Sequence, residues 1–180
     1  LKMPSIRLAQ FCGNNYFNYQ NISKKVIDKK VLFLPQTNFR FSYYTNGIAT
    51  SDFMKEIVED RINFVSNFKK NKIKMYYKTE KHNIKIFSIH YDKLKKAGKN
   101  YIEIMNLNSR GIYGDLVKKF PIFIFDEIGA GTLECFTKGI PTMVYWNKIW
   151  SKEAMDAKLE IKQLKDCRIL FYDMEELTSE

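Results

Sequence analysis

Residues 121–147 read PIFIFDEIGAGTLECFTKGIPTMVYWN, and they give the clearest indication of the protein's architecture. The apolar run Ile122–Phe125, followed by Asp126, predicts a strand that is covered on both faces, as in parallel sheets. The three residues Gly129–Gly131 let the backbone turn sharply and come close to a ligand. A second strand is predicted over residues 142–146. This order of strand, glycine loop, short connection and strand is typical of an α/β sheet.

The connection between these two strands predicts a short helix over residues 132–138. The helix should end at Gly139, where a left-handed C-cap is expected, and Pro141 prevents its continuation. In an open α/β sheet, ligands bind outside the carboxyl ends of the strands, where backbone N–H groups at a helix N-terminus favour an anion. The glycine loop is therefore predicted to form a phosphate-binding site.

The rest of the chain alternates predicted strands and helices. Strands are predicted at residues 31–34, 73–78, 101–107 and 168–172, and helices at 51–70, 111–120 and about 152–164. The segment Ile84–Ile89 fits either another strand or a turn-rich insertion. Alternation at this spacing predicts right-handed βαβ units, and hence a Rossmann-like parallel sheet flanked by helices. We assign residues 30–180 to this one α/β domain and the polar residues 1–29 to a lead-in or linker segment.

The chain is strongly basic, with 30 Lys and Arg against 20 Asp and Glu and a net charge of +10. Such a charge raises the hypothesis of nucleic-acid binding. However, only five of the cations are arginine, the residue that recognises phosphates and bases with forked geometry. We therefore interpret most lysines as a solvated surface and expect no nucleic-acid partner. Attraction to anionic substrates or peripheral contact with an anionic membrane remains the alternative.

The apolar runs, the cysteines and the histidines indicate the cellular location of the protein and whether it binds a metal. No apolar run reaches the ~18 residues of a membrane span. Cys12, Cys135 and Cys167 are widely spaced and form no CxxC motif, so the sequence suggests neither a disulfide framework nor a zinc site. His82 and His90 also lack a metal-binding spacing. The pattern favours a soluble cytoplasmic protein without a metal.

Polar residues follow several predicted strands, and the carboxyl ends of parallel strands meet at one edge of the sheet. A nucleoside diphosphate requires backbone N–H donors, a hydroxyl, one or two cations, and a carboxylate for the ribose hydroxyls. The candidates for these contacts are Thr37 and Arg40 after the first strand, Lys78 at the end of the next, and Asp126, Gly129, Gly131, Thr132 and Glu134 around the glycine loop.

Each candidate also has a structural interpretation. Glu134, counted three positions after an N-cap at Gly131, fits a carboxylate that favours the helix dipole. Thr132 fits the N-cap of its own helix, and Asp126 fits a turn at the strand end. Trp146 fits core packing as well as a platform for stacking a sugar.

The stretch DEIGAGTLECFTKGIPTMVYWN resembles the nucleotide-sugar-binding half of GT-B fold glycosyltransferases, with their late strand, Gly-Thr loop, "LE" helix and "GxPT" strand. The nearest likeness is to a family of transferases of bacterial surface-carbohydrate biosynthesis. The opening VLFLPQTNFR, residues 31–40, also resembles glycerophosphotransferases that polymerise teichoic-acid-type chains. In those enzymes a strand-Pro-Thr-x-x-Arg loop faces the donor diphosphate. The likeness covers residues 31–176, and its motifs are concentrated in residues 120–147.

The resemblance implies roles for individual residues. Thr37 and Arg40 would contact the donor phosphates, Gly131 and Thr132 would hold the diphosphate at the helix start, and Glu134 would accept hydrogen bonds from the ribose. The Lys/Arg-x-His-Pro motif that often follows the second strand is replaced here by Lys78-Thr79-Glu80. Because the base of GT-B enzymes usually comes from their other half, the resemblance assigns no catalytic residue.

The function implied by the resemblance is that of a transferase half in surface-polysaccharide biosynthesis. It would bind a nucleotide-activated sugar or polyol phosphate as donor, use no metal or other cofactor, and pass the group to a glycan or lipid-linked acceptor. The complete enzyme would include an N-terminal half that lies outside this chain, and it would act at the inner face of the membrane. A non-catalytic GT-B-like module that docks a partner or glycan is the alternative.

Overall fold

A parallel sheet forms the centre of the structure, a computed structural model that describes residues 29–35, 51–79, 84–85, 87–106, 116, 119–147 and 157–180. The strands of these residues are β1 (Lys30–Leu34), β2 (Lys74–Thr79), β3 (Ile102–Asn106), β4 (Phe123–Phe125), β5 (Thr142–Tyr145) and β6 (Leu170–Phe171). They lie in the order β3-β2-β1-β4-β5-β6, and every neighbouring pair is parallel. This is the strand order of doubly wound dinucleotide-binding folds, and it confirms the predicted Rossmann-like α/β class.

Helices cover both faces of the sheet. The described helices are α1 (Ser51–Lys70), α2 (Ser88–Gly98), α3 (Ala130–Thr137), α4 (Lys158–Asp166) and α5 (Met174–Ser179), with a 3₁₀ turn at Lys99–Tyr101. One core cluster joins α1, α2 and α5 to one face, while two further clusters join α3 and α4 to the other face. The sheet is thus the middle layer of three.

Strand β1 shows why this sheet needs two covering layers. Its residues Val31 and Phe33 belong to the cluster under α1, while Leu32 and Leu34 belong to the cluster under α3. All four are at least 94% buried, with exposures between 0% and 6%. A strand that is apolar on both faces is stable only between two apolar layers, as the sequence pattern indicated.

In folds with this order of strands, a crevice lies at the carboxyl edge of the sheet, at the switch point between β1 and β4. The chain leaves β1 toward β2 on one side, whereas β4 pairs on the other side, with Leu34 in register with Phe125. At such a switch point the loops that follow the two strands diverge, and ligands of this fold class bind between them. Asp126 and the glycine loop directly follow β4 and therefore border this crevice.

Helix α2 corrects one interpretation of the sequence. Residues 88–98 form a helix and residues 84–85 are helical too, so the interpretation of Ile84–Ile89 as a strand is wrong. Tyr91, Leu94 and Gly98 are buried at a spacing of three to four residues, which places them on one helical face. The tight fit of that face explains the glycine: a Cβ on residue 98 would lie 2.5 Å from Cγ2 of Ile102.

Other boundaries agree closely with the predictions, and α1 spans the predicted residues 51–70. The short helix α5 was not predicted; it begins after Asp173, whose side chain accepts hydrogen bonds from the backbone N–H groups of Glu175 and Glu176. Most of the predicted helix over 111–120, and all but one residue of the lead-in at 1–29, lie outside the described residues. Within the described ranges, no helix has the length and apolar character required to cross a bilayer.

Candidate functional site

The glycine loop connects β4 to α3 at the crevice. Helix α3 begins at Ala130, two residues earlier than predicted, with Gly129 as its N-cap. The Thr132 hydroxyl donates to the backbone oxygen of Glu127 at 2.8 Å and accepts from the N–H of Gly129 at 3.5 Å. Since Thr132 is fully buried, its side chain stabilises the loop from inside. Its predicted role as N-cap is wrong, because Gly129 holds that position.

A buried ion pair anchors the same loop to helix α1. Arg61 donates from Nε at 3.1 Å and from Nη2 at 2.7 Å to Oδ2 of Asp126. The two side chains are 3% and 0% exposed. A charge is costly to bury unless it is paired and hydrogen-bonded, so each residue requires the other. The carboxylate of Asp126 is therefore engaged inside the protein.

Strand β2 and helix α2 extend this polar region. The side chains of Arg61 and Tyr77 interact, and burial raises the pKa of Tyr77, so the phenol stays neutral. The hydroxyl groups of Thr79 and Tyr91 lie 2.6 Å apart in a buried hydrogen bond. The rings of Tyr77 and Tyr91 meet edge to face at 6.0 Å. Polar atoms thus continue from the end of β4 to the end of β2 beneath the crevice.

His90 stands beside Tyr91, with the two ring centres 5.2 Å apart. It is buried, and neither ring nitrogen has a hydrogen-bond partner among the described residues. Burial, followed by the positive charges of Arg61 and Lys93, lowers the pKa of His90 to about 4. The imidazole is consequently neutral near pH 7.

Two half-buried carboxyl groups neighbour the Arg61–Asp126 pair in sequence, and the charge of Asp126 acts on both. Asp60 accepts a hydrogen bond from the hydroxyl of Tyr145 at 3.0 Å. Burial raises the pKa of Asp60, hydrogen bonds lower it, and the charge of Asp126 raises it, with a net increase. Burial, then the charge of Asp126, also raises the pKa of Glu127. Carboxyl groups with raised pKa values at a crevice are candidates for proton transfer and for hydroxyl binding.

Glu127 lies against the glycine loop. A Cβ on Gly129 would be 3.2 Å from Oε1 of Glu127, so the glycine leaves space for this carboxylate. The backbone of Gly129 is extended, with φ −120° and ψ −170°, and does not itself demand glycine. The glycine at position 129 is therefore explained by the close approach of the Glu127 side chain and not by a special backbone conformation.

The remaining predicted contacts occupy different positions. Gly131 is the second residue of α3, whereas the sequence pattern placed it in the loop before that helix. Lys78 is the penultimate residue of β2 and is half-buried near the carboxyl edge. Glu134 forms an exposed ion pair with Lys138 at 2.7 Å. Because Glu134 is the fifth residue after the N-cap, its interpretation as a first-turn carboxylate is wrong.

Thr37 and Arg40, the predicted contacts after β1, lie outside the described residues, so their roles stay predictions. Trp146 is half-buried and packs against the apolar cluster under α4, and its buried Nε1 has no hydrogen-bond partner in the described part of the chain. Cys135 is fully buried in the core, as predicted. Cys167 is disulfide-bonded, which the cysteine spacing did not predict.

The sequence interpretation missed Asp60, Arg61, Tyr77, His90 and Glu127. One signal was available, because Arg61 stands in the apolar stripe of α1 together with Ile57, Phe64 and Val65. A charged residue on a core-facing stripe requires a buried partner. Only the topology of the sheet shows that this partner is Asp126.

A family model described as LIC12162 family transferase matches residues 7–179. The chain belongs to the LIC12162 family of transferases. Comparisons with curated proteins and with solved structures give no match. Membership of the LIC12162 family confirms the transferase class that the sequence motifs implied. Within this family member, the half-buried Glu127 lies against the glycine loop, and the buried Arg61–Asp126 pair anchors that loop to α1.

Proposed function

We propose that this chain is the donor-binding half of a GT-B-like transferase of surface-polysaccharide biosynthesis. It binds a nucleotide-activated sugar or polyol phosphate at the crevice between β1 and β4. One observation carries the proposal: the glycine loop and the N-terminus of α3 directly follow β4 at the switch point of the sheet. In this fold class the diphosphate of a bound nucleotide lies at such a position.

The chemistry of the loop suits a leaving group that carries phosphate. The first backbone N–H groups of a helix have no intrahelical partner, and they favour a negative charge. Fixed donors of this kind stabilise the charge that develops on the leaving group, which is a nucleoside diphosphate when a glycosyl bond breaks and a nucleoside monophosphate when a polyol phosphate is transferred. Gly129, Gly131 and Lys78 are the described residues to which we assign phosphate contacts, with Thr37 and Arg40 from the loop after β1.

The buried cluster supports this site by holding the loop in place. Arg61 and Asp126 join α1 to the loop, and Thr132 ties the loop to the helix that follows. Such preorganisation matters because a shift of about 1 Å at a reacting centre can cost about 100-fold in rate. We therefore assign Asp126 and Thr132 to loop support rather than to direct donor contact.

The carboxylates suggest which residues recognise hydroxyl groups. Glu134 lies on α3 in an exposed pair with Lys138, whereas Glu127 lies against the loop itself. A half-buried carboxylate accepts hydrogen bonds from sugar hydroxyls without needing a cation. We assign ribose or sugar hydroxyl contacts to Glu127 and Asp60, and we retain Glu134 only as the contact that the resemblance implied.

The acceptor in this proposal is a glycan or a lipid-linked glycan, reached at the inner face of the membrane. The other half of a GT-B-like enzyme would bind that acceptor and supply the base. The excess of lysine favours approach to an anionic lipid surface, where each cation near the surface contributes about 1 kcal/mol.

A second candidate is a GT-B-like module that docks a partner or glycan without chemistry. The observation that favours it is that three predicted donor contacts interact with other groups of the protein. Asp126 forms an ion pair with Arg61, Thr132 hydrogen-bonds to the loop backbone, and Glu134 forms an ion pair with Lys138. Such a module would keep the fold but would no longer bind a nucleotide-activated donor.

Thermal unfolding with nucleotides tests the proposal, since a ligand that binds only the native state raises the melting temperature. We expect one of UDP, CDP, GDP and ADP to produce a selective shift that its monophosphate does not match. Gly131→Val should crowd the loop and abolish the shift in melting temperature. Thr137→Val also introduces a valine, but at the exposed end of α3, and it should retain the shift. Circular dichroism confirms that both variants fold. A wild-type protein that responds to none of the four contradicts donor binding and favours the docking module.

A further inference from the structure

His90 is a buried residue whose polar atoms are unsatisfied within the described structure. The side chain belongs to a residue that is 6% exposed, and both Nδ1 and Nε2 lack a hydrogen-bond partner among the described residues. Buried polar groups in native proteins nearly always have a partner, and leaving one without a partner destabilises the fold. A leucine at this position would avoid that cost, so packing alone does not explain a histidine.

The position of His90 links it to the crevice. It lies in the first turn of α2, next to Ile89, which is 73% exposed. The neighbouring Tyr91 hydrogen-bonds to Thr79, the last residue of β2. His90 is therefore at the β2 side of the same carboxyl edge at which the glycine loop occupies the β4 side.

The charges around His90 narrow the choice of ligand. Arg61 and Lys93 are the charged groups that act on it, and both are positive, while Arg61 is already paired with Asp126. A neutral imidazole offers one donor and one acceptor. A hydroxyl group matches both, because it donates and accepts, whereas a phosphate oxygen only accepts.

We infer that His90 is a ligand-contacting residue that hydrogen-bonds a hydroxyl group of the transferred sugar or polyol. This inference rests on the proposed function and assigns the two ends of the donor to two sides of the crevice. The diphosphate lies at the glycine loop after β4, and the transferred group lies toward the end of β2. His90 thereby determines specificity for a hydroxyl-bearing group rather than affinity for the nucleotide.

The experiment compares each activated donor with its free nucleoside diphosphate, using UDP-glucose, GDP-mannose, ADP-glucose and CDP-glycerol as probes. His90→Leu should bind the free diphosphate like the wild type, while its affinity for the matching donor falls about threefold to tenfold through the lost hydrogen bond. His90→Gln keeps a donor and an acceptor and should restore part of that affinity. Ile89→Ala, an exposed change in the same turn, should bind both ligands normally.

Melting temperatures without ligand give an independent measurement. Because leucine removes two unsatisfied atoms, His90→Leu should melt at or above the wild-type temperature. A much lower melting temperature assigns His90 to the fold and overturns the inference, as does unchanged donor affinity in His90→Leu. If the unmodified protein binds neither diphosphates nor donors, the proposed function itself fails, and this inference fails with it.

Discussion

Nη2 of Arg61 lies 2.7 Å from Oδ2 of Asp126, although 65 residues separate the two in sequence. Arg61 belongs to the helix that the chain enters after leaving β1, and Asp126 begins the loop that follows β4. The pair therefore fixes the relative position of the two segments that flank the switch point. A change at either residue should affect both the stability of the fold and the shape of the crevice.

Arg61→Met should lower the free energy of unfolding by about 3–5 kcal/mol, because it removes the cation that pairs with the buried carboxylate of Asp126. Urea unfolding followed by circular dichroism measures this change. Lys138→Met provides the control, since the exposed pair of Lys138 with Glu134 should contribute at most about 1 kcal/mol. Adding Asp126→Leu to Arg61→Met should recover much of the loss. If Arg61→Met alone is as stable as the wild type, the buried-pair interpretation is wrong.

Asp60→Asn tests the carboxyl group beside this pair through its pH dependence. Burial raises the pKa of Asp60 in the folded state, so the folded chain retains this proton to higher pH than the unfolded chain. The stabilising contribution of Asp60 is complete below its unfolded pKa and is lost as the pH rises through its folded pKa. The stability of Asp60→Asn relative to the wild type should therefore increase with pH across that interval and then level off.

Unfolding free energies measured from about pH 3 to about pH 8 determine this difference. Tyr145→Phe extends the test, because the hydrogen bond from Tyr145 lowers the pKa of Asp60. Removing it should raise that pKa and move the loss of stability to higher pH. A difference between Asp60→Asn and the wild type that falls with pH contradicts the direction of the shift.

Gly98→Ala and Gly129→Ala make the same chemical change in two environments. A Cβ on residue 98 would lie 2.5 Å from Ile102 and 2.7 Å from Val65, both in the core, whereas a Cβ on residue 129 would lie 3.2 Å from the flexible carboxylate of Glu127. Overpacking of this kind costs about 1–3 kcal/mol. Gly98→Ala should therefore lower the melting temperature markedly and Gly129→Ala only slightly. Equal effects in the two variants would show that the contact with Ile102 relaxes easily.

Thr132→Val removes the buried hydroxyl that holds the glycine loop while keeping the size of the side chain. It should cost about 1–3 kcal/mol of stability, because the backbone oxygen of Glu127 loses its hydroxyl donor. Thr137→Val changes an exposed hydroxyl in the same helix and should cost clearly less. Hydrogen exchange at the amides of residues 127–133 should also become faster in Thr132→Val alone. Unchanged exchange in that variant would show that the hydroxyl does not hold the loop.

The strands and the long helix were predictable because their signals are local. The apolar runs of β1 and β4 and the periodicity of α1 gave bounds within a few residues of those observed. Helix α2 was missed because the β-branched residues before Ser88 resemble a strand, although the spacing of Tyr91, Leu94 and Gly98 is helical. Local pattern alone could not decide between the two readings there.

The candidate site was less predictable, because it depends on contacts between distant segments. The positions of Gly129, Gly131 and Thr132 at the start of α3 follow from the local sequence, because these residues come shortly after the end of β4. The pairing of Arg61 with Asp126, however, requires the strand order as well as the sequence. The unsatisfied imidazole of His90 likewise becomes visible only once α2 is packed against α1.

The position of β1 between β2 and β4 also affects how the chain folds during translation. Its partner β2 follows about 40 residues later, but β4, its partner on the other side, ends only at Phe125. During translation at about 5–20 residues per second, one edge of β1 thus stays unpaired for several seconds after β2 has emerged. An open edge flanked by Leu32 and Leu34 is prone to pairing with other chains. We therefore expect nascent chains that end before residue 123 to require chaperones, and chains that extend past β4 to be released from them.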